Sequence, residues 1–307
     1  MMVPTLPSDA VLGIIAPASP VSPIKRDIAL ERFLQYGFSI QLGKSVSAQY
    51  GYLSGDDELR ASDLEEMFLR DDIDAIFCLR GGYGTMRLLE HINYQIIAQH
   101  PKPFVGYSDI TALHIAIHQR TGMVTFHGPM VSETRKKESE SSFLELFRIL
   151  QGHNPLPCYQ SIDHFLCLTP GCAEGKLIGG NLSLICSTLG TPFEIETTGS
   201  ILLLEDVDEA PYCIDRMLTQ LLLANKLQQA AGIIFTSCHK CNPPINHPSF
   251  SLEQVLLDRL SSISVPAFYG LPIGHRLPNL PIPLGCRAII DASNGSVQMI
   301  EPSVYPH

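Results

Sequence analysis

Short, unbroken apolar runs recur along the first half of the chain, each followed by a segment with helical periodicity. The runs are VLGIIAP, FSIQLG, DAIFCL, PFVGY and VTFHGP. A strand buried on both faces reads as a continuous apolar run, as a parallel sheet covered by helices requires. Ser22 and Pro23 open a helix that runs through Phe33 and Leu34 and closes at Gly37. LSGDDELRASDLEEMFLR predicts an amphipathic helix with Ser54 as its cap and Leu59, Leu64, Met67 and Phe68 on its buried side. Another helix starts at Thr85, after the glycine turn RGGYG. A last one follows Ser108, with Ile110, Leu113 and Ile117 on one face and Gly122 past its end. This alternation predicts an α/β fold with a doubly wound parallel sheet.

The pattern breaks between Val131 and about Cys172. RKKESESS is a solvated charge run, and NPLPCYQ and LTPGC are rich in turn residues. The helix SFLELFRILQG within this stretch is expected to pack on the first domain. Beyond it, GKLIGGNLSLICSTLG reads as strand, glycine turn and a helix capped by Asn181. ILLLEDV, GIIFTS, AFYG and AIIDA read as strands, and IDRMLTQLLLANK and SLEQVLLDRLSS as helices. The expected organisation is an N-terminal domain over 1–150, a linker over 151–172 and a smaller mixed α/β domain over 173–307.

Composition narrows the function classes. The chain has 307 residues, 45% of them hydrophobic and 17% charged, enough for one large domain or two ordinary ones. A net charge of -10 argues against a nucleic-acid surface, which needs a basic patch. No run is long and apolar enough to span a membrane. The first apolar stretch has no Lys or Arg before it and is Pro-rich, so it reads as a strand rather than an export signal. A cytoplasmic location is therefore expected. The nine cysteines follow no repeated spacing and are expected to be free and mostly buried. Cys238, His239 and Cys241 lack the second ligand pair a metal site needs, so no metal is expected there.

Three positions carry candidate chemistry: Ser108, at a sharp strand-to-helix turn; Glu205, at the end of ILLLE; and His275, in the loop LPIGHRLPN. Each follows an apolar strand, where open α/β sheets place their sites. A serine needs a neighbouring base to become a nucleophile. An imidazole can take and return that proton near neutrality, and a carboxylate can hold it in the right tautomer. The backbone N–H of Asp109, next to the nucleophile, and a glycine N–H of RGGYG are candidate oxyanion donors. Residue types alone leave rivals standing. Ser108 can simply cap its helix, His127 competes with His275 as base, and His114 and His118 sit within a helix as surface or packing residues. Asp206, Asp208 and Glu209 accompany Glu205 in LEDVDE, a cluster that could bind a divalent cation or cap the helix near Tyr212. Arg80 could grip a carboxylate or brace its turn.

Taken in order, GIIAPAS, YLSGDDELRASDL, AIFCLRGGYGTMRLL, FVGYSDITALH, TFHGPM, KLIGGNLSL, ILLLEDVDEAPYCIDRML and LPIGHRLPNLPIPLG cover almost the whole chain. In these segments the chain resembles the LD-carboxypeptidase family of serine peptidases, which includes the microcin C self-immunity peptidases. The resemblance implies a Ser-Glu-His triad, which falls on Ser108, Glu205 and His275. It implies an oxyanion hole from Asp109 and Gly82, with Gly81 as the alternative, and an active site at the interface of two domains. It also implies a small murein peptide as substrate, no cofactor, and a homodimer. An exopeptidase must bind a free carboxylate, for which Arg80 and Arg276 are the candidates. An amidase for nucleotide conjugates and a non-catalytic ligand-binding protein remain the other readings.

Overall fold

The computed structural model describes residues 1–135, 139–161, 165–245 and 247–306. The chain forms two compact units. The first comprises Met1–Asn154, Leu280–Gly285 and Pro302–His307; the second comprises Pro155–Asn279 and Cys286–Glu301.

The first unit holds a six-stranded sheet. Its strands run in the order Ile282–Leu284, Thr125–His127, Phe104–Gly106, Ala75–Cys78, Val11–Ile15, Ser39–Leu42. Ile282–Leu284 is antiparallel to its neighbour, and the other pairings are parallel. The parallel, doubly wound reading of the sequence therefore holds here. Ala75–Cys78 is buried along its whole length, as its unbroken apolar run demands. Phe33, from the helix Pro23–Leu34, packs its ring 5.3 Å from Phe77 and 5.8 Å from Phe143. Phe143 lies on the helix Glu140–Leu150, so that helix does pack on the first unit. The helix Asp57–Leu69 is capped by Asp56, whose carboxylate accepts the Leu59 N–H at 2.8 Å, and not by Ser54, which is buried. Both are good cap types; Asp56 stands immediately before the first helical residue, and Ser54 stands two residues too early.

The second unit holds an eight-stranded mixed sheet. Its order is Cys158–Gln160, Ser296–Met299, Arg287–Asp291, Cys172–Asn181, Ile201–Val207, Gly232–His239, Ala267–Tyr269, Leu166–Thr169. The four strands from Cys172–Asn181 to Ala267–Tyr269 pair in parallel. Antiparallel strands flank them on both sides. Two of those flanking strands lie within 151–172, a stretch that reads as turn-rich in the sequence.

The cysteines depart from expectation at one place. Cys238 and Cys241 form a disulfide, with Cα atoms 5.5 Å apart. The turn at Lys240, a non-glycine residue at φ 60°, brings the end of the strand back within bridging reach. Of the seven remaining cysteines, Cys78, Cys186, Cys213 and Cys286 are buried. Among the described residues no helix is long and apolar enough to cross a membrane.

Candidate active site

Ser108 stands directly after the strand Phe104–Gly106 and Tyr107, at the start of a 3-10 turn, Ser108–Ile110, that leads into the helix Thr111–Thr121. Its backbone has φ 65°, a conformation L-residues other than Gly, Asn and Asp rarely adopt. Such strain is characteristic of a side chain held out at a sharp strand-to-helix turn. The helix Thr111–Thr121 has Ile110 at its cap position, so Ser108 stands two residues ahead of the cap.

The RGGYG turn is built around this serine. A Cβ added at Gly81 would lie 2.9 Å from the Ser108 Cβ, 3.0 Å from its Oγ and 3.4 Å from the Asp109 backbone nitrogen. Only glycine lets the turn come this close to both the hydroxyl and the neighbouring N–H. Gly82, at φ 117°, packs instead against Ser19, whose Oγ would be 2.4 Å from an added Cβ. Two buried side chains hold the turn in place. Asp109 accepts the Thr85 N–H at 2.8 Å, and the Thr85 hydroxyl donates to the Asp109 carbonyl at 2.5 Å. Burial pushes the Asp109 carboxyl up, and the bond from Thr85 works against that shift. Arg60, with no solvent exposure, donates to the carbonyls of Pro17 at 2.5 Å and Gly84 at 3.0 Å. Arg80 donates to the carbonyls of Gly81 at 3.1 Å and Pro20 at 3.3 Å, bracing the turn with its own fork.

In the second unit, His275 Nδ1 lies 2.7 Å from Oε2 of Glu205, a carboxylate with 0% exposure. With a neutral imidazole, Nδ1–H donates to the carboxylate and Nε2 is left as the basic nitrogen. Gly274, at φ 106°, permits this approach: an added Cβ would stand 2.6 Å from Glu205 Oε2. The loop carrying His275 is pinned by three bonds. Thr236 Oγ1 and Ser237 Oγ donate to the Ile273 carbonyl at 2.9 and 2.7 Å, and Gly274 N–H donates to Asn279 Oδ1 at 2.8 Å. The two hydroxyls come from a bulge. Leu204 pairs with Phe235 and Asp206 with Cys238, so Thr236 and Ser237 stand where one residue, Glu205, lies opposite. Bulges of this kind re-aim side chains beside functional sites.

Asn181 and Asp206 complete the surroundings of Glu205. Asn181 is its register partner on the adjacent strand. The Asn181 amide donates toward Glu205 Oε1 at 3.3 Å and Asp206 Oδ1 at 3.1 Å, while its Oδ1 accepts the Leu184 N–H at 3.2 Å. Sequence reasoning found only the cap; the strand pairing supplies the second role. Asp206 also accepts from the Ser183 N–H and hydroxyl at 2.9 and 2.8 Å. Burial, and after it the neighbouring Glu205 charge, raises the Asp206 carboxyl. Among the described residues no group of three or more His, Cys, Asp or Glu is arranged to hold a metal ion.

The rival histidines have structural environments. His114 is buried with Nε2 2.8 Å from the Gly106 carbonyl, and burial pushes its pKa down to about 3. His118 Nδ1 lies 3.1 Å from the Met123 carbonyl. His127 is fully buried, its ring 5.5 Å from that of Tyr107. Arg276, next to His275, lines a cavity in the second unit.

Comparison with known proteins identifies two family domains along the chain. Residues 12–128 match the LD-carboxypeptidase N-terminal domain, and residues 174–290 match the LD-carboxypeptidase C-terminal domain. A probable murein peptide carboxypeptidase of Bacillus subtilis is 46% identical over 287 residues, spanning 92% of this chain and 89% of that one. The solved muramoyltetrapeptide carboxypeptidase of Oxalobacter formigenes superposes with a TM-score of 0.86 at 27% identity, covering 97% of this chain and 100% of the other. The microcin C7 self-immunity protein MccF shares the fold, with a TM-score of 0.90 at 23% identity over 99% of this chain and 100% of that one. With matching N- and C-terminal domains and a relative this similar along nearly its full length, the chain belongs to the LD-carboxypeptidase family.

Proposed function

We propose that this enzyme is a serine carboxypeptidase that removes the terminal D-alanine from murein tetrapeptides by hydrolysing an L,D-peptide bond. Ser108 is the nucleophile, His275 the base and Glu205 the acid that orients it. Ser108 Oγ attacks the carbonyl of the diamino acid as His275 Nε2 takes the hydroxyl proton. The tetrahedral oxyanion is met by the Asp109 N–H and a glycine N–H of the RGGYG turn, Gly82 or Gly81. Gly81 has the better claim, since it is the glycine packed against Ser108. Protonated His275 then gives its proton to the leaving D-alanine amine, and an ester to Ser108 remains. Water attacks that ester with His275 again as base, the C–O bond to Ser108 breaks, and the proton returns to Ser108 Oγ. No cofactor takes part. The enzyme acts in the cytoplasm on recycled wall peptides, as a homodimer.

One observation carries this reading: the 2.7 Å contact from His275 Nδ1 to the buried Glu205. It presets the tautomer that a serine-activating base needs. The substrate class rests on the names of the Bacillus and Oxalobacter relatives. The test is a competition between a murein tetrapeptide and an aminoacyl-sulfamoyl-adenosine. The expected kcat/KM favours the tetrapeptide; faster cleavage of the nucleotide conjugate would replace this function with an immunity amidase.

A further inference from the structure

The strand Gly232–His239 runs out into Lys240 and Cys241, and Cys238 is bridged to Cys241 across that turn. No step of the proposed reaction uses this disulfide, yet it lies next to the support of the base. Thr236 and Ser237, on the same strand, donate to the Ile273 carbonyl at 2.9 and 2.7 Å and so pin the loop that carries His275. Cys238 follows Ser237 directly and pairs with Asp206, and His239 pairs with Val207. Lys240, at φ 60°, then turns the chain so that Cys241 returns to Cys238. The bridge thus closes a turn whose central residue has a backbone conformation that non-glycine residues rarely adopt. It ties down the strand one residue beyond Ser237.

The bridge can also be reached. Both cysteines line a cavity of about 230 Å³ in the second unit. Cys238 is half-buried, whereas Cys241 is 4% exposed. A thiolate entering the cavity meets Cys238 Sγ first, forming a mixed disulfide there while Cys241 leaves as the thiolate. The second thiol of a dithiol reductant then attacks its own sulfur in the mixed disulfide and frees Cys238. Two electrons and two protons pass from the dithiol, which ends as a disulfide, to Cys238 and Cys241, which end as thiols. The motif closes the end of a strand, and the next helix, Leu252–Leu260, begins well past it. It therefore lacks the helix N-terminus that lowers a thiol pKa in disulfide-exchange catalysts. In the reducing compartment proposed above, a disulfide this accessible is a responsive bond rather than a permanent one.

We infer that Cys238–Cys241 is a redox switch on the catalytic base. The bridged form holds Ser237, and through it the His275 loop, in the working position; a small dithiol releases both. Once the bridge opens, Lys240 is free to leave its left-handed conformation and the strand end is held by its pairing with Asp206 and Val207 alone. The inference rests on the proposed role of His275.

The experiment compares bridged wild type with wild type opened by dithiothreitol. Thiols counted in denaturant should rise from seven to nine. The kcat on the murein tetrapeptide is expected to fall by about three- to tenfold on opening, the worth of one neutral hydrogen bond, with little change in KM. Re-oxidation with diamide should restore it. A chain carrying both Cys238→Ser and Cys241→Ser should have the low kcat with or without dithiol, and Ser237→Ala should lower kcat even when bridged. An unchanged kcat on opening, a loss that re-oxidation does not restore, or a double variant that responds to dithiol or matches bridged wild type overturns the switch. Hydrogen exchange separates this failure from failure of the proposed function. If neither form of wild type cleaves the peptide, the functional reading falls, and amide exchange over 271–279 still decides the switch. Faster exchange there on opening supports it; equal exchange in the two forms overturns it.

Discussion

His275 is held through Nδ1 by Glu205 at 2.7 Å, and Glu205 is itself lodged between Asn181 and the glycine beside His275. The acid is completely buried and the imidazole is 16% exposed, so the carboxylate is committed to Nδ1 and the tautomer is set from the buried side. Replacing the carboxylate by an amide keeps the shape and loses the acceptor that fixes the tautomer. Glu205→Gln is therefore expected to lower kcat by about 10³- to 10⁴-fold with little change in fold. Steady-state kinetics alongside circular dichroism read this directly; activity within tenfold of wild type would remove Glu205 from the mechanism.

Gly81 tests the other half of the chemistry. A methyl group there would press on the Ser108 Cβ and Oγ at 2.9 and 3.0 Å. Gly81→Ala should displace the hydroxyl from its working position and cost about a hundredfold in kcat, because small misplacements of reacting groups are expensive. Gly81 does not have positive φ, so thermal stability should change far less than activity. Equal turnover in the variant would show that the turn does not shape the nucleophile's surroundings.

A pH effect on stability follows from His114. Burial pushes its pKa down to about 3, below the ordinary value of about 6.5 that it regains on unfolding. The unfolded chain then binds a proton that the folded chain refuses. The stability this histidine contributes is complete above about 6.5 and is lost progressively as pH falls toward about 3. Urea unfolding midpoints between pH 7 and 4 should fall more steeply in wild type than in His114→Gln, which removes the titrating group. Parallel slopes would contradict the assignment.

The parallel strands were legible because burial on both faces leaves an unbroken apolar signature, as in Ala75–Cys78 and Ile201–Leu204. Short flanking strands such as Cys158–Gln160, exposed at alternate residues, carry no such signature amid Pro and Cys. The nucleophile turn was visible as a strand ending at Ser108, yet its strained φ was not, since strain belongs to the tertiary context. Local sequence could not separate Glu205 from Asp206. Asn181 donates to both, and what separates them is tertiary: Ser183 donates to Asp206 while His275 meets Glu205, and only the resemblance to a family distinguishes Glu205 in the sequence. The disulfide escaped notice for a related reason: its geometry depends on the turn at Lys240.

The central claim is metal-independent hydrolysis through Ser108. Mass spectrometry of L-Ala-γ-D-Glu-meso-diaminopimelate-D-Ala, incubated with wild type and with Ser108→Ala in the presence of a strong chelator, tests it most directly. The expected result is loss of one alanine with wild type and a fall of about 10⁴-fold or more with the variant. Cleavage by Ser108→Ala at a similar rate, or loss of wild-type activity to the chelator, would contradict the account.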